Sequence, residues 1–423
     1  MGARRSRHDW VVAPFRLDRL AGPRDATRVW YDINADRKLR GAYTAAGDLV
    51  RKLGPLAHVR DPALVEAHEL TLLSFAPDLS DRLPASDEMV RLLTFSNEGN
   101  PRTWTRRLAH GLADFLIAYV ASIAPRRIAI AFENVDHADS LDREFLAILL
   151  RRAHPAELML HIGSASDHLD EPLLSALGNH ARQIRRAPIS RPPDCRLPTA
   201  WSRRLARRSK AWRAEWAALQ QLPSNHNASA IHPTPPSIGK LFDEAVKGLS
   251  KARRIALAEA YVASDCTSDD PIETRAYAAI TSMARRALHR SRGRVLAADG
   301  EAAAKWGAIP FHCERAAGDA RPLLAAAKQS MRLAYYEAAL DWAVRGRNLL
   351  DPLDRGKMYG EFTRNILFAS MLLGNYPAAE ALCQEVLSGT ADDALVAHVT
   401  YAKAILCARL YPPEHRDYDA AKI

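Results

Sequence analysis

Three polar residues follow an apolar stretch at residues 128–132, and their types and spacing could serve phosphate chemistry. They are Glu133, Asn134 and Asp136. In an open parallel sheet, ligands bind beyond the carboxyl ends of the strands, so an acid placed there can act beside a nucleotide and its magnesium ion. An amphipathic helix is predicted to follow at 139–152. If a nucleotide binds, these three residues are the ones expected to contact it.

The other half of such a site, a loop that cradles phosphates, has no counterpart in the sequence. A P-loop needs Gly, four residues, Gly-Lys and Ser or Thr. Gly41 to Gly47 has five intervening residues and continues with Asp48, whose charge would repel a phosphate; Gly239-Lys240 is followed by Leu241. Too few residues precede the strand predicted at 28–35 for a first strand, loop and helix. Either the loop was deleted or the true start lies upstream; an unrelated α/β domain with acids at a strand end is the simpler alternative.

Other catalytic chemistries have no supporting pattern. The cysteines are widely separated and form no Cys-x-x-Cys pair or zinc-ligand spacing with histidines, which favours a reducing cytoplasm over disulfides or a structural metal. They are Cys195, Cys266, Cys313, Cys383 and Cys407. No Gly-x-Ser-x-Gly elbow occurs. We therefore expect no enzyme activity and no cofactor.

The composition indicates a globular protein with two or three domains. The chain has 423 residues, of which 48% are hydrophobic and 26% charged, with a net charge of +10. No run approaches the ~18 uncharged apolar residues that a membrane-spanning helix needs. We expect a cytoplasmic protein without a membrane segment; its oligomeric state is left open.

Apolar runs at 28–35, 127–132 and 158–163 predict β-strands, and because the runs are continuous we expect both faces of each strand to be covered. Apolar residues recurring at three and four predict helices at 103–123 and 139–152, the second capped by Asp139 or Ser140. Alternation of strand and helix predicts a parallel α/β sheet.

The chain is predicted to have four parts. Residues 1–187 form the α/β domain, 188–236 a basic helix between Pro-rich linkers, 237–320 a helical (winged-helix-like) connector, and 321–423 a repeat array. The basic helix carries a patch that could contact an acidic surface, a nucleic acid or anionic lipid, or simply be solvated. Its residues are Arg203, Arg204, Arg207, Lys210 and Arg213.

An internal repeat occupies the last hundred residues. The motif Tyr-x-x-Ala occurs at 336–339, 376–379 and 418–421, each time after an apolar helix. A helix, a turn and a second helix whose small Ala allows close approach form the tetratricopeptide unit. The sequence predicts a tetratricopeptide-like α-solenoid, incomplete at the C-terminus, and an irregular helical bundle is the alternative.

These features together resemble the STAND class of AAA-related P-loop ATPases, large bacterial signal-transduction regulators with C-terminal tetratricopeptide repeats. The resemblance is carried by the segment from Ile128, by the repeats, and by residues 41–53 and 288–319. It implies that Glu133 would hold magnesium through water and that Asn134 stands where the family has the acid that polarises the attacking water. An amide cannot act as that base. Ser166 falls where the family often has a phosphate-sensing Arg, so the resemblance implies a degenerate, P-loop-deficient domain.

We therefore expect a pseudo-ATPase that acts as a regulatory scaffold and binds a partner protein through the concave face of its repeats. By the family's register this face is basic and would suit an acidic peptide or surface. Its residues are Arg321, Lys328, Arg332, Arg364 and Phe368.

Two alternatives remain open. The chain could be an ATP-dependent STAND-type regulator, with ATP and magnesium as cofactors, whose P-loop is missing here. It could also be a transcriptional regulator acting through the basic helix, although no DNA-binding motif accompanies that helix.

Overall fold

The architecture is that of a computed structural model in which the placed residues fall into two units. The described residues are 7–13, 16–20, 25–83, 101–186, 243, 246–268, 270–300, 302–316, 318–351, 356–389 and 392–410. The first unit comprises Met1–Leu39, Tyr43–Pro84 and Ala109–Leu288, and the second comprises Arg40–Ala42, Ala85–Leu108 and His289–Ile423. The predicted division into four parts stays a prediction.

The first unit contains a five-stranded parallel sheet with the order β2-β3-β4-β1-β5. Its strands are β1 (His8–Val12), β2 (Arg28–Asn34), β3 (Arg127–Glu133), β4 (Leu158–Ser164) and β5 (Ala181–Arg185). The parallel α/β sheet predicted from the sequence is confirmed, as are the three predicted strands, which are β2, β3 and β4. Strands β1 and β5 were not predicted because each has only five residues and includes polar ones, so neither gives a continuous apolar run.

Helices connect the strands of the sheet and make up most of the second unit. The helices through the end of the sheet are α1 (Arg16–Leu20), α2 (Thr44–Arg60), α3 (Pro62–Ala67), α4 (Glu69–Phe75), α5 (Pro101–Ser122), α6 (Ser140–Arg152) and α7 (Leu173–His180). They are followed by α8 (Lys251–Ala263), α9 (Pro271–Ala279), α10 (Ser282–Asp299), α11 (Ala308–Arg315), α12 (Arg321–Arg332), α13 (Tyr336–Arg347), α14 (Lys357–Leu372), α15 (Tyr376–Gly389) and α16 (Asp393–Ile405). The predicted helices at 103–123 and 139–152 correspond to α5 and α6.

The core of the first unit is centred on β3. Six of its seven residues are buried, and Phe132 makes an edge contact with Phe145 of α6. The prediction that both faces are covered is therefore confirmed for β3. It is wrong for β2, most of whose residues are only half-buried. Strand β2 lies at the sheet edge, and α1, which connects β1 to β2, has only five residues.

Two buried carboxylates join the N-termini of α2 and α6. Asp139 caps α6, as predicted, and also accepts a hydrogen bond from the backbone N–H of Tyr43. Asp142 accepts hydrogen bonds from the backbone N–H groups of Ala45 and Ala46, at 2.7 and 3.0 Å, and so caps α2 from another helix. Burial raises the pKa of both carboxyl groups, that of Asp142 well above its usual range. The two acids stabilise the packing of α2 against α6.

Helices α12 to α16 of the second unit pack as successive neighbours. Helix α12 contacts α13 and α14, and α14 contacts α15 and α16. The turns after α12 and α14 have the same geometry: the Tyr335 N–H donates to the Ser330 carbonyl at 2.8 Å, and the Asn375 N–H donates to the Ser370 carbonyl at 2.8 Å. Such a six-to-one bond closes a Schellman cap. The two turns are therefore structural repeats, while the third Tyr-x-x-Ala motif lies outside the described residues.

Each of the two turns contains one residue with a left-handed backbone. This residue is Ala334 in the first turn, with φ of 59°, and Gly374 in the second, with φ of 76°. A β-carbon strains this conformation, so Gly374→Ala should lower the free energy of unfolding by about 1 kcal/mol. Ala334→Gly should leave it unchanged or raise it. Ala381→Gly, at an exposed position within α15, is the control and should lower it by about 1 kcal/mol. Urea unfolding followed by circular dichroism measures all three; a loss for Ala334→Gly as large as for the control would contradict the turn geometry.

His8 of β1 is a buried neutral imidazole that connects two elements of the first unit. Its Nε2 lies 3.1 Å from the Ala153 carbonyl, and its Nδ1 lies 3.2 Å from the Leu160 backbone N–H, which can only donate. The ring therefore carries its proton on Nε2 and accepts at Nδ1. Burial lowers the pKa of His8 to about 4 from 6.5.

This lowered pKa makes stability depend on pH. Between pH 6.5 and 4, the unfolded chain binds a proton at His8 that the folded protein excludes, so stability falls as the pH falls. The full loss is about 3 kcal/mol at about 1.4 kcal/mol per pKa unit. His8→Asn, which does not titrate, should show a shallower decline in urea unfolding between pH 7 and 4.5. The raised pKa values of Asp139 and Asp142 make stability rise as the pH falls, and they do so equally in the unmodified protein and in the variant. If stability declines with the same slope in the two proteins, the lowered pKa of His8 is refuted.

Candidate functional site

The carboxyl ends of β1 and β4 lie where the chain changes direction across the sheet. After β1 the chain crosses to β2 at one edge, whereas after β4 it crosses to β5 on the other side of β1. Open α/β sheets bind ligands in the crevice between two such strands. The ends of β1, β3 and β4 therefore define the candidate site, and Glu133, at the end of β3, lies beside it as the sequence predicts.

Arg19 lies in this crevice and, with Glu133 and Gly163, lines a cavity of about 210 Å³. It belongs to α1, and its side chain is 0% exposed. Its Nε donates to Glu133 Oε2 at 2.6 Å, its Nη1 to the Ala13 carbonyl at 2.9 Å, and its Nη2 to Asn134 Oδ1 at 2.6 Å. One guanidinium thus connects the ends of β1 and β3. This residue was not singled out from the sequence, where it is one of many arginines.

The other predicted residues of the site lie close to this pair. Asn134 has a left-handed backbone, with φ of 58°, and donates from Nδ2 to Asn34 Oδ1 at 2.9 Å. Asp136 accepts a hydrogen bond from the Ala165 backbone N–H at 3.4 Å. Glu133 and Asn134 are therefore brought together around Arg19, whereas Asp136 is bonded to the chain that leaves β4.

The arrangement does not fit a nucleotide with magnesium. A magnesium ion at Glu133 would compete with the Arg19 guanidinium for the same carboxylate, and a buried carboxylate that already has a cation gains little from a second one. On the opposite side, a β-carbon at Gly163 would lie 2.6 Å from the Glu133 carboxyl carbon, so the backbone of β4 is in close contact with the acid. Asn134 offers an amide that is already bonded at its oxygen to Arg19.

A second polar group lines the same cavity of about 210 Å³ as Arg19 and Glu133. Asp9 Oδ1 accepts from Arg182 Nη2 at 3.0 Å, and its Oδ2 lies 3.3 Å from His161 Nδ1. The His161 ring lies 4.6 Å from that of Trp30. These charged groups satisfy one another within the protein. Sequence reasoning missed them because they are contributed by four different strands.

Three of the predicted partner-binding residues lie on α12. Two of them have acidic neighbours: the Arg321 guanidinium binds Asp319 at 2.6 Å, and Lys328 Nζ binds Glu361 of α14 at 2.5 Å. Arg332 is exposed and makes no hydrogen bond or ion pair through its side chain with the described residues.

The remaining two residues lie on α14. Arg364 is half-buried and, within the described part of the chain, has no carboxylate within ion-pair distance. The Phe368 ring contacts the edge of His398 of α16 at a centroid distance of 5.5 Å. The basic patch at Arg203, Arg204, Arg207, Lys210 and Arg213 lies outside the described residues.

No family model, curated protein or solved structure matches this chain. None of the helices in the described part has the length and apolarity to cross a lipid bilayer. Among the same residues, no three His, Cys, Asp or Glu side chains come together as a metal site would require.

The buried pair predicts strong coupling between two substitutions. Arg19→Met alone leaves the Glu133 carboxylate buried without its cation and should lower the free energy of unfolding by about 3–5 kcal/mol. Glu133→Gln combined with Arg19→Met should lose less than the sum of the two single effects. A double-mutant cycle by urea unfolding measures this coupling. The exposed pair of Arg321 and Asp319 is the control and should couple far more weakly; additive effects at Arg19 and Glu133 would contradict the structure.

Proposed function

We propose that this chain is a non-catalytic regulatory scaffold, a STAND-type α/β domain that has lost nucleotide turnover joined to a tetratricopeptide-like array that binds a partner protein. In this proposal the chain turns over no nucleotide and has no cofactor, and its work is to hold another protein. The proposal rests on a resemblance of sequence and on the geometry of the site.

The observation that carries the proposal is the ion pair between Arg19 and Glu133. In a working ATPase the acid at the end of this strand must be available to the magnesium ion that accompanies the phosphates. Here the same acid is bound at 2.6 Å by the protein's own guanidinium. Helix α1 begins at Arg16, four residues after β1 ends, so the connection is too short for a P-loop of eight residues. Both features favour a domain that keeps the sheet without the nucleotide.

The packing of the second unit supports a repeat array. Helices α12, α14 and α16 contact one another in sequence and so form one row, as the first helices of stacked helical pairs do. Ala339 and Ala379, the small residues of the first two Tyr-x-x-Ala motifs, are both 0% exposed, which allows the close helix approach that the motif implies.

The charges on this row indicate that fewer residues are available to a partner protein than the sequence predicts. Arg321 and Lys328 are already engaged by acids of the same unit, so they would contribute little to a partner. Arg332 and Arg364 keep their positive charge available, and Phe368 lies on the same row beside His398. An acidic segment with an apolar residue is the complementary partner.

Nucleotide titration of the full chain tests the proposal. We expect isothermal calorimetry with ATP and magnesium to give no binding tighter than a Kd of about 1 mM, and no phosphate release. Glu133→Gln is the control; because it removes the anion of a buried ion pair, circular dichroism should first show that it is folded, and it should likewise show no ATP binding and no phosphate release. Micromolar ATP binding, with turnover that disappears in Glu133→Gln, would overturn the proposal and favour an ATP-dependent regulator.

A further inference from the structure

Helix α10 carries a row of positive charge that no acid of the described protein compensates. The helix has 18 residues, five of them arginines, and its single acid is its last residue, Asp299. Arg286, Arg290 and Arg294 are exposed and recur at intervals of four. We call these three residues the arginine ridge. Because the ridge lies on one continuous helix, its geometry depends on that helix alone.

The arginines of the ridge differ from many others in the described chain. Arg51, Arg143, Arg275 and Arg345 each bind a carboxylate. The ridge arginines have no carboxylate within ion-pair distance among the described residues. The other two arginines of α10 are less exposed. The Arg285 guanidinium lies over the Tyr277 ring, and Arg292 is half-buried.

This arrangement works against the stability of the helix. Like charges four residues apart repel each other on a helix surface. Positive charge near the N-terminus, where Arg286 lies, also opposes the helix dipole. A solvated helix face ordinarily carries both positive and negative side chains. An external anion that binds this row would therefore reduce the repulsion between its positive charges.

The spacing of the ridge suits a chain of phosphates. Residues four apart on a helix are separated by roughly 6 Å along its axis, so each guanidinium can reach a different phosphate. Ala287, Ser291 and Ala298 are small, exposed neighbours of the ridge, and they leave room for a phosphate backbone to approach.

The rest of the helix argues against a membrane or a protein as the anion. From His289 onward its buried side is packed inside the second unit, where His289 Nδ1 lies 2.8 Å from His312 Nδ1 and Leu296 packs against Ala304 and Ala308. Two large apolar side chains of this helix, Met283 and Val295, are exposed, which is too few to form an apolar face that enters a bilayer. A protein interface needs an apolar core, whereas phosphate contacts do not.

We propose that the arginine ridge of α10 binds the phosphate backbone of a nucleic acid without reading its bases. The inference does not depend on the loss of nucleotide turnover, because the ridge lies outside the sheet and its candidate site.

Salt-dependent binding to duplex DNA of arbitrary sequence tests the ridge. Each phosphate neutralised contributes about 0.9 to the slope of log affinity against log salt, so three contacts contribute about 2.7. The triple variant Arg286→Gln, Arg290→Gln, Arg294→Gln should reduce the slope of the full chain by about 2.7. Between 50 and 200 mM salt the ridge would account for a roughly 40-fold loss of affinity. Circular dichroism should show that the variant is folded.

The matched control is Arg126→Gln, Arg127→Gln, Arg151→Gln, which removes the same charge from exposed positions of the first unit. It should keep the slope of the unmodified chain. A ridge variant whose slope equals that of the unmodified chain would overturn the proposal. So would a loss of polyglutamate binding, or of binding to phosphatidylglycerol vesicles, as large as the loss of DNA binding, because the ridge would then serve an acidic protein or a membrane.

Discussion

The first unit depends on one buried ion pair. Arg19 and Glu133 are 114 residues apart in the chain, yet the guanidinium contacts the ends of β1 and β3 together, and neither charge is exposed to water. A charge in such a place is tolerated only while its partner is present. The acid that a parallel sheet offers to a ligand at this crevice is thereby bound by the protein's own guanidinium. The ion pair makes the site a structural centre, and this is why we place the function elsewhere.

Internal satisfaction of polar groups recurs throughout the first unit. Asp142 caps a helix other than its own, and the neutral ring of His8 donates to the end of α6 and accepts from β4. The cavity on the sheet face is likewise lined by charges that bind one another. These groups stabilise the fold, and because their hydrogen-bonding capacity is used internally, they offer little to an external ligand. Charged groups of this kind serve the structure, and they differ from charged groups that are available to bind a ligand.

Charge that remains available is found on helices. The arginine ridge of α10, together with Arg332 of α12 and Arg364 of α14, has no carboxylate within ion-pair distance among the described residues, and each of these arginines lies on a regular helix. A regular helix lets such groups bind without the added cost of ordering the backbone. In our proposals a phosphate backbone suits the evenly spaced ridge, and an acidic segment with an apolar residue suits the row of α12, α14 and α16, where Phe368 lies.

The sequence by itself determined the elements that local patterns specify. The apolar runs identified β2, β3 and β4, the periodicities identified α5 and α6, and the Tyr-x-x-Ala motif located two turns of equal geometry. Only the tertiary structure revealed β1 and β5, which are short and partly polar and exist because neighbouring parallel strands supply their hydrogen bonds. It alone paired Arg19 with Glu133 and aligned Asp142 with α2. Such pairings depend on which distant segments of the chain pack together, and the local periodicity of the sequence does not predict that.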